Sequence, residues 1–225
     1  NAIDAAIACA FSQGVVDPQM CSIGGFGAMQ ICMPKRGVHT VLEFFARAPL
    51  SATAEMWADR FVGQTRDGFV FLLEDHANEI GHLAAGTPGN LKGYTEALAR
   101  FGTMELKDVM APAIAQAREG FIVRPYVHYY WTIDQRGAGQ INTEDKLRHS
   151  ETGRTLYFHA DGTLKRPGDR VANPDLAQTL ERIAAAGPDI FYTGEIAQEI
   201  AADMAANGGL ITQRDLADYR VREKA

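Results

Sequence analysis

Apolar positions recur with two different periods along this chain, and the change of period divides it. Between residues 1 and 12, Ile3, Ile7 and Phe11 fall four apart among alanines. That spacing places them on one face of a helix, which Gly14 is expected to end. A Gly-rich link, VVDPQMCSIGGFG, follows. AMQICM (28–33) and HTVLEFF (39–45) read as strands. The PKRG turn between them is short enough to require an antiparallel hairpin. Ser51, a good N-cap ahead of Glu55, Met56 and Trp57, predicts a short helix. GFVFLL (68–73) is near-continuously apolar and predicts a third, buried strand, and EDHANEIGH a polar loop.

Beyond residue 85 the helical period takes over. Segments 91–101 and 106–119 each end at a glycine, Gly102 and Gly120, with Pro112 expected to kink or split the second. The aromatic run 123–139, with Tyr126, Tyr129, Tyr130 and Trp131, is read as helix. Residues 142–150 are polar, and TLYFHADGTLKRPGD is a turn-rich link. Asn173 as cap and Pro174 in the first turn open a helix whose Leu176, Leu180 and Ile183 share a face, and Gly187–Pro188 closes it. A second amphipathic helix, 190–207, is closed by Gly208–Gly209, and Thr212 caps a last short helix with Asp215 in its first turn. The strands are thus expected mainly before residue 85 and a helical region over 90–225.

With 225 residues the chain can bury a sizeable core. A formal net charge of −6 without any basic cluster argues against nucleic acid as a partner. No apolar run reaches the ~20 residues a helical membrane span needs, and no signal-peptide pattern opens the sequence. Cys9, Cys21 and Cys32 form no metal spacing and no C-x-x-C pair. They read as buried, unpaired thiols, which leans toward a reducing, cytoplasmic location.

Few residues carry obvious chemistry. Arg47, at the end of the second strand, can hold a carboxylate through its planar fork of donors, or simply pair with Glu43 or Glu55. Gly24, Gly25 and Gly27 permit close backbone approach to a substrate, although a tight turn is the plainer reading. GGFG lacks the spacing of a dinucleotide loop and the Lys of a phosphate loop. His76 and His82 share an acidic loop at a separation that matches no familiar metal-ligand pattern. GTPG (86–89) reads as a loop that caps the next helix, and the aromatics of 126–131 as core.

Five stretches, in order, resemble one family: NAIDAAIACAFSQGVVDPQ, SIGGFGAMQI, ARAP, GTPGNLKGYTEALARFGTMELKDVMAPAIAQAREGFIV and NPDLAQTLERIAAAGPDIFYTGEIAQEIAADMAANGGLITQRDLADYRV. Together they are similar to the large subunit of the γ-glutamyltransferase family, self-cleaving N-terminal-nucleophile (Ntn) amide hydrolases and acyltransferases. The resemblance implies an α+β fold, the αββα sandwich of those enzymes, with residues 1–225 supplying the helix-rich large-subunit part. It implies a small subunit from the same precursor as partner, a small-molecule amide as substrate, and no cofactor. The nucleophile would be a Thr at the start of that small subunit, so no catalytic residue is expected within these residues.

One departure bears on substrate. The glutathione-processing members carry Arg-Glu-x-Ala-Pro after the second strand, and that Arg holds the α-carboxylate of the γ-glutamyl group. Here Phe45 takes the place of the Arg and Ala46 that of the Glu. Arg47 lies two residues on, on the same strand face and about 6.6 Å further along. Phe45 and Arg47 are therefore the expected substrate-binding residues, for a small carboxylated amide rather than glutathione. Two alternatives remain at this stage: a γ-glutamyl hydrolase-transferase proper, and a non-catalytic relative that kept the fold as a scaffold.

Overall fold

The computed structural model describes residues 1–65, 68 and 70–224. Helix α1 spans Ala2–Val16, opened by a capping box between Asn1 and Asp4, and buries Ile3, Ile7, Phe11 and Val15. Gly14 does not end it. The glycine is needed because the following link folds back over it: a Cβ there would lie 3.3 Å from Ser22 Cα. The helix stops at Asp17 instead, the residue before Pro18.

The hairpin forms as the pattern requires. Strands β1 (Gly27–Met33) and β2 (Val38–Phe44) pair antiparallel from Gly27↔Phe44 to Met33↔Val38. The turn is a 3-10 turn over Pro34–Arg36 closed by Gly37 at φ 64°. Thr40, Leu42 and Phe44 alternate onto the buried face of β2.

The next segments depart from expectation. Ser51 opens no helix; its hydroxyl donates to the Leu210 carbonyl at 3.3 Å. The neighbouring Leu50 amide donates to Asp215 at 2.6 Å. Tertiary partners have claimed the groups a cap would have used, and only a 3-10 turn at Ala58–Arg60 follows. The apolar run at 68–73 is not a buried strand. Its described part contributes β4 (Phe71–Leu73), which pairs with β3 (Phe61–Gln64) in a separate two-stranded ribbon. Phe61, Val62 and Phe71 are exposed, with the two phenyl rings edge to face at 5.9 Å. Phe69 lies outside the described residues.

Helix α2 spans Asn90–Phe101 and α3 Leu106–Glu119. Pro112 neither splits nor ends α3, because it sits on the exposed side while Val109, Met110, Ala113 and Ala117 face the core. A side unit follows, with its own small apolar cluster of Val123, Val127, Trp131 and Val171. It comprises β5 (Phe121–Ile122), α4 (Pro125–Trp131), α5 (Thr143–His149), α6 (Glu151–Tyr157) and β6 (Arg170–Val171), which pairs with β5. Helix α4 is shorter than the expected 123–139 segment. Of its aromatics Trp131 is buried, whereas Tyr126 and Tyr129 are exposed rather than core.

Helix α7 (Pro174–Ala186) begins as anticipated, with Asn173 Oδ1 accepting from the Leu176 amide at 3.0 Å. The single helix expected over 190–207 is instead two, α8 (Asp189–Tyr192) and α9 (Glu195–Ala206). The break falls at Gly194, where a Cβ would meet Ile190 Cα at 2.8 Å. Thr212 and Asp215 form the capping box of α10 (Gln213–Ala217). A strand then appears in the supposedly helical region. β7 (Arg222–Lys224) pairs antiparallel with β2, so the main sheet runs β1-β2-β7.

α1 packs on α3 and α3 on α7, while α2 lies on the buried face of the hairpin. Ile7, Leu42, Leu91, Leu180 and Ile183 are fully buried in this one core, each contributing roughly 1.5–3 kcal/mol by leaving water. No disulfide joins the cysteines. Cys9 and Cys32 are exposed rather than buried, on the solvent sides of α1 and β1, and Cys21 is half-buried. Among the described residues no helix is long and apolar enough to cross a membrane.

Candidate functional site

Strand β2 runs out at Phe44, and the chain continues extended as Phe45–Ala46–Arg47. Arg47 then pairs in an antiparallel bridge with Thr87: the Arg47 amide donates to the Thr87 carbonyl at 3.2 Å, and the Thr87 amide returns a bond at 2.8 Å. GTPG therefore does more than lead into a helix. Gly86 lies against Ala46, and at Gly89 a Cβ would stand 2.1 Å from the Phe44 carbonyl oxygen and 2.2 Å from the Tyr219 hydroxyl. Only glycine allows α2 to begin this close to the strand end.

Tyr219 is the pivot of the site. Its hydroxyl donates to the Phe45 carbonyl at 2.7 Å. Its ring stacks on Tyr192 with centroids 6.0 Å apart. Tyr192 in turn donates to the Pro88 carbonyl at 3.2 Å and accepts from the Lys92 amide at 3.0 Å. The Arg47 guanidinium lies 4.8 Å from the centre of the Tyr219 ring, a cation–π distance. It also donates to the Arg220 carbonyl at 2.5 Å. Burial raises the pKa of Tyr219, while the charges of Arg47 and Arg222 pull it the other way.

Glu43, Phe45, Ala46, Arg47, Tyr219 and Arg222 line one cleft of about 280 Å³. The two expected residues are thus brought together in this cleft. Phe45 is half exposed at the cleft. Of the ion-pair alternatives for Arg47, neither is realised: Glu43 is taken by Lys224, Nζ to Oε1 at 2.7 Å, and no bond joins Arg47 to Glu55. The cleft therefore carries two guanidiniums and a carboxylate already neutralised by its own lysine. Such a lining suits an anion.

The Gly-rich segment is a turn that meets the helix. The Gly25 carbonyl accepts from the amides of Gly89 and Asn90 at 2.9 and 3.0 Å, and Asn90 Nδ2 donates to the Ser22 carbonyl at 2.7 Å. These contacts fix the strand against α2. His76 bonds Glu79 at 3.1 Å, and His82 bonds Asp203 at 2.8 Å, away from the cleft. Among the described residues no group of three or more metal-ligating side chains gathers.

Tyr219, Arg220 and Arg222 were not picked out as site residues from sequence. The first two lie in a stretch read as a helix cap and its sequel. Arg222 lies in a three-residue, fully charged strand with no apolar alternation to betray it.

The family model described as gamma-glutamyltranspeptidase matches residues 1–225. The chain is 41% identical over 224 residues to the acylase ACY 1 proenzyme of Pseudomonas sp. (strain SE83), covering 98% of this chain and 37% of that protein. It is 37% identical over 230 residues to the glutathione hydrolase proenzyme of Escherichia coli (strain K12), covering 100% and 35%. It thus spans little more than a third of the length of these relatives. The crystal structure of Helicobacter pylori gamma-glutamyltranspeptidase superposes with a TM-score of 0.82 at 32% identity, covering all of this chain and 59% of that one. Cephalosporin acylase from Bacillus halodurans superposes with a TM-score of 0.80 at 28% identity, covering all of this chain and 39% of that one.

Proposed function

The chain belongs to the gamma-glutamyltranspeptidase family and carries the α+β, large-subunit part of its Ntn-hydrolase fold, and from that premise we propose that residues 1–225 are the large-subunit portion of a self-cleaving amide hydrolase or acyltransferase. Its partner is a small subunit released from the same precursor. That subunit begins with the nucleophilic Thr. The Thr hydroxyl attacks the substrate amide carbon and its proton passes to the Thr α-amine. The carbon–nitrogen bond then breaks, the amine leaves with that proton, and an ester-linked acyl group remains for transfer to water or to an acceptor amine. The large subunit contributes positioning. Arg47 clamps a carboxylate on the acyl group, and Phe45 forms the apolar wall beside it.

The substrate is a small carboxylated amide rather than a γ-glutamyl compound. One observation carries this reading: Phe45 and Arg47 line the same 280 Å³ cleft, with the ring where the γ-glutamyl-binding arginine of the family is expected. The relatives' names do not choose between acylase and glutathione hydrolase, because both stand near 40% identity. Placement of the charge supports the former reading. A carboxylate seated for an arginine at position 45 would lose a charge-assisted hydrogen bond of about 1.5–3 kcal/mol, or one to two decades in rate if the contact persists in the transition state.

The full-length precursor tests this directly. Denaturing electrophoresis is expected to show two bands after self-cleavage. The processed enzyme is expected to hydrolyse succinyl, glutaryl or adipyl anilides faster than a γ-glutamyl anilide. A single persistent band without turnover of any anilide refutes the catalytic assignment; preference for the γ-glutamyl anilide refutes the substrate assignment.

A further inference from the structure

We propose that Arg222 is a second anion-binding residue of this cleft and that it sets specificity for acyl groups ending in a free carboxylate. The inference rests on the reading of Arg47 as the acyl clamp and extends it to a residue on a different strand.

The placement follows from register. Arg222 lies directly across from Glu43 in the β2–β7 pair, so the two side chains leave the sheet on the same face. Phe45 is two residues beyond Glu43 and shares that face as well. The natural partner for a guanidinium opposite a glutamate is that glutamate. Here it is already occupied: Lys224, two pairs further along β7 and opposite Val41, reaches diagonally to Glu43 at 2.7 Å. The Arg222 side chain is exposed and makes no hydrogen bond or ion pair among the described residues, yet it lines the cleft with Arg47.

The two arginines are unlike. Arg47 is immobilised by the Tyr219 ring and the Arg220 carbonyl, so it offers a fixed fork. Arg222 is free to swing. Two like charges facing one small cleft repel each other, and a carboxylate set between them relieves that repulsion while accepting from both. A neutral acyl chain of the same length gains nothing from either. The cleft therefore selects by charge: the favoured substrate is the monoamide of a short dicarboxylic acid, its distal carboxylate held between a rigid and a mobile guanidinium.

The test uses the full-length, self-processed protein and compares glutaryl with butyryl 4-nitroanilide, the butyryl group being the glutaryl chain without its distal carboxylate. Arg222→Gln is expected to lower kcat/KM for the glutaryl substrate on the order of tenfold, mainly through KM, and to leave the butyryl substrate unchanged. Arg222→Lys is expected to recover part of the loss, and added salt to narrow the glutaryl advantage of the wild type. If Arg222→Gln slows both substrates equally, Arg222 is structural and the inference falls. If it blocks self-cleavage or separates the subunits, Arg222 belongs to the subunit interface and the inference falls. Arg47→Gln separates this from the underlying reading. Loss of the glutaryl preference in Arg47→Gln but not in Arg222→Gln keeps the clamp and removes the second arginine; no change in either variant removes both.

Discussion

Gly93 offers a sharp test of how the strand end is held. It lies in the middle of α2 and is buried against β2. Replacing a helical glycine by alanine normally stabilises by about 0.8–1 kcal/mol. Here a Cβ would stand 2.2 Å from two carbons of the Phe44 ring, far inside contact distance. The ring has little freedom to yield. Phe44 is 3% exposed, Tyr94 presses on it edge-to-face at 5.7 Å, and Gly27 sits close against its far edge. Overpacking of this kind costs about 1–3 kcal/mol, and the severity of the overlap places it at the upper end. The steric cost outweighs the propensity gain, so Gly93→Ala is expected to destabilise the full-length protein by about 1–2 kcal/mol. Urea denaturation is expected to show a lower midpoint at unchanged slope. In the double variant Phe44→Leu, Gly93→Ala, the loss is expected to be smaller than the sum of the single losses, because the smaller side chain makes room. A midpoint equal to or above wild type in Gly93→Ala would refute the claim that α2 and β2 meet through this glycine.

Three further outcomes are expected. Tyr219→Phe leaves the Phe45 carbonyl without its donor and should cost about 1–3 kcal/mol of stability, with KM for carboxylated substrates rising as the segment that carries Phe45 and Arg47 loses the bond that holds it; an unchanged KM would separate Tyr219 from the site. Burial alone would raise the pKa of Asp215, but hydrogen bonds from Thr212, the Leu50 amide and the Thr212 amide outweigh it and hold the carboxylate below its usual value. Its stabilisation is therefore present above the unfolded value of about 3.9 and lost as pH falls through the folded one, so Asp215→Asn should flatten the acid limb of a stability–pH curve below about pH 4, and an identical limb would contradict this. Cys9 and Cys32 should react at once with a thiol reagent, whereas Cys21, its pKa raised by burial and then by Asp17, should react slowly until the protein is denatured, when all three count; a missing thiol would indicate a bridge.

Helices with one uninterrupted apolar stripe were legible: α7 and its Asn173 cap, α2, and the α10 capping box all lie where periodicity and caps place them. So was the hairpin, whose turn leaves no other topology. Several of the misreadings depended on contacts that the local pattern does not show. Gly14 reads in sequence as a helix end and Gly194 as helix interior, and the structure reverses both. One is passed over and the other breaks, according to whether Ser22 or Ile190 crowds it. Ser51 looked like a cap but spends its hydroxyl on Leu210. β7 has no apolar residue at all, and only its pairing with β2 makes it a strand. The site divides in the same way. Phe45 and Arg47 are neighbours along the chain and could be found from a motif, whereas Tyr219 and Arg222 reach the cleft only because the chain returns to it.

That return has a temporal side. β2 is the middle strand of its sheet, and one flank stays open until β7 arrives, with the Glu43–Lys224 contact joining residues 181 positions apart. At synthesis rates of 5–20 residues per second, about 10–40 s separate the emergence of the two strands. Throughout that interval the hairpin presents an unpaired edge, and the Arg47 cleft has no floor, because Tyr219 is not yet made. The cleft is therefore among the last features of this segment to form during translation, and a nascent chain stalled before residue 219 would expose a strand edge open to pairing with other chains.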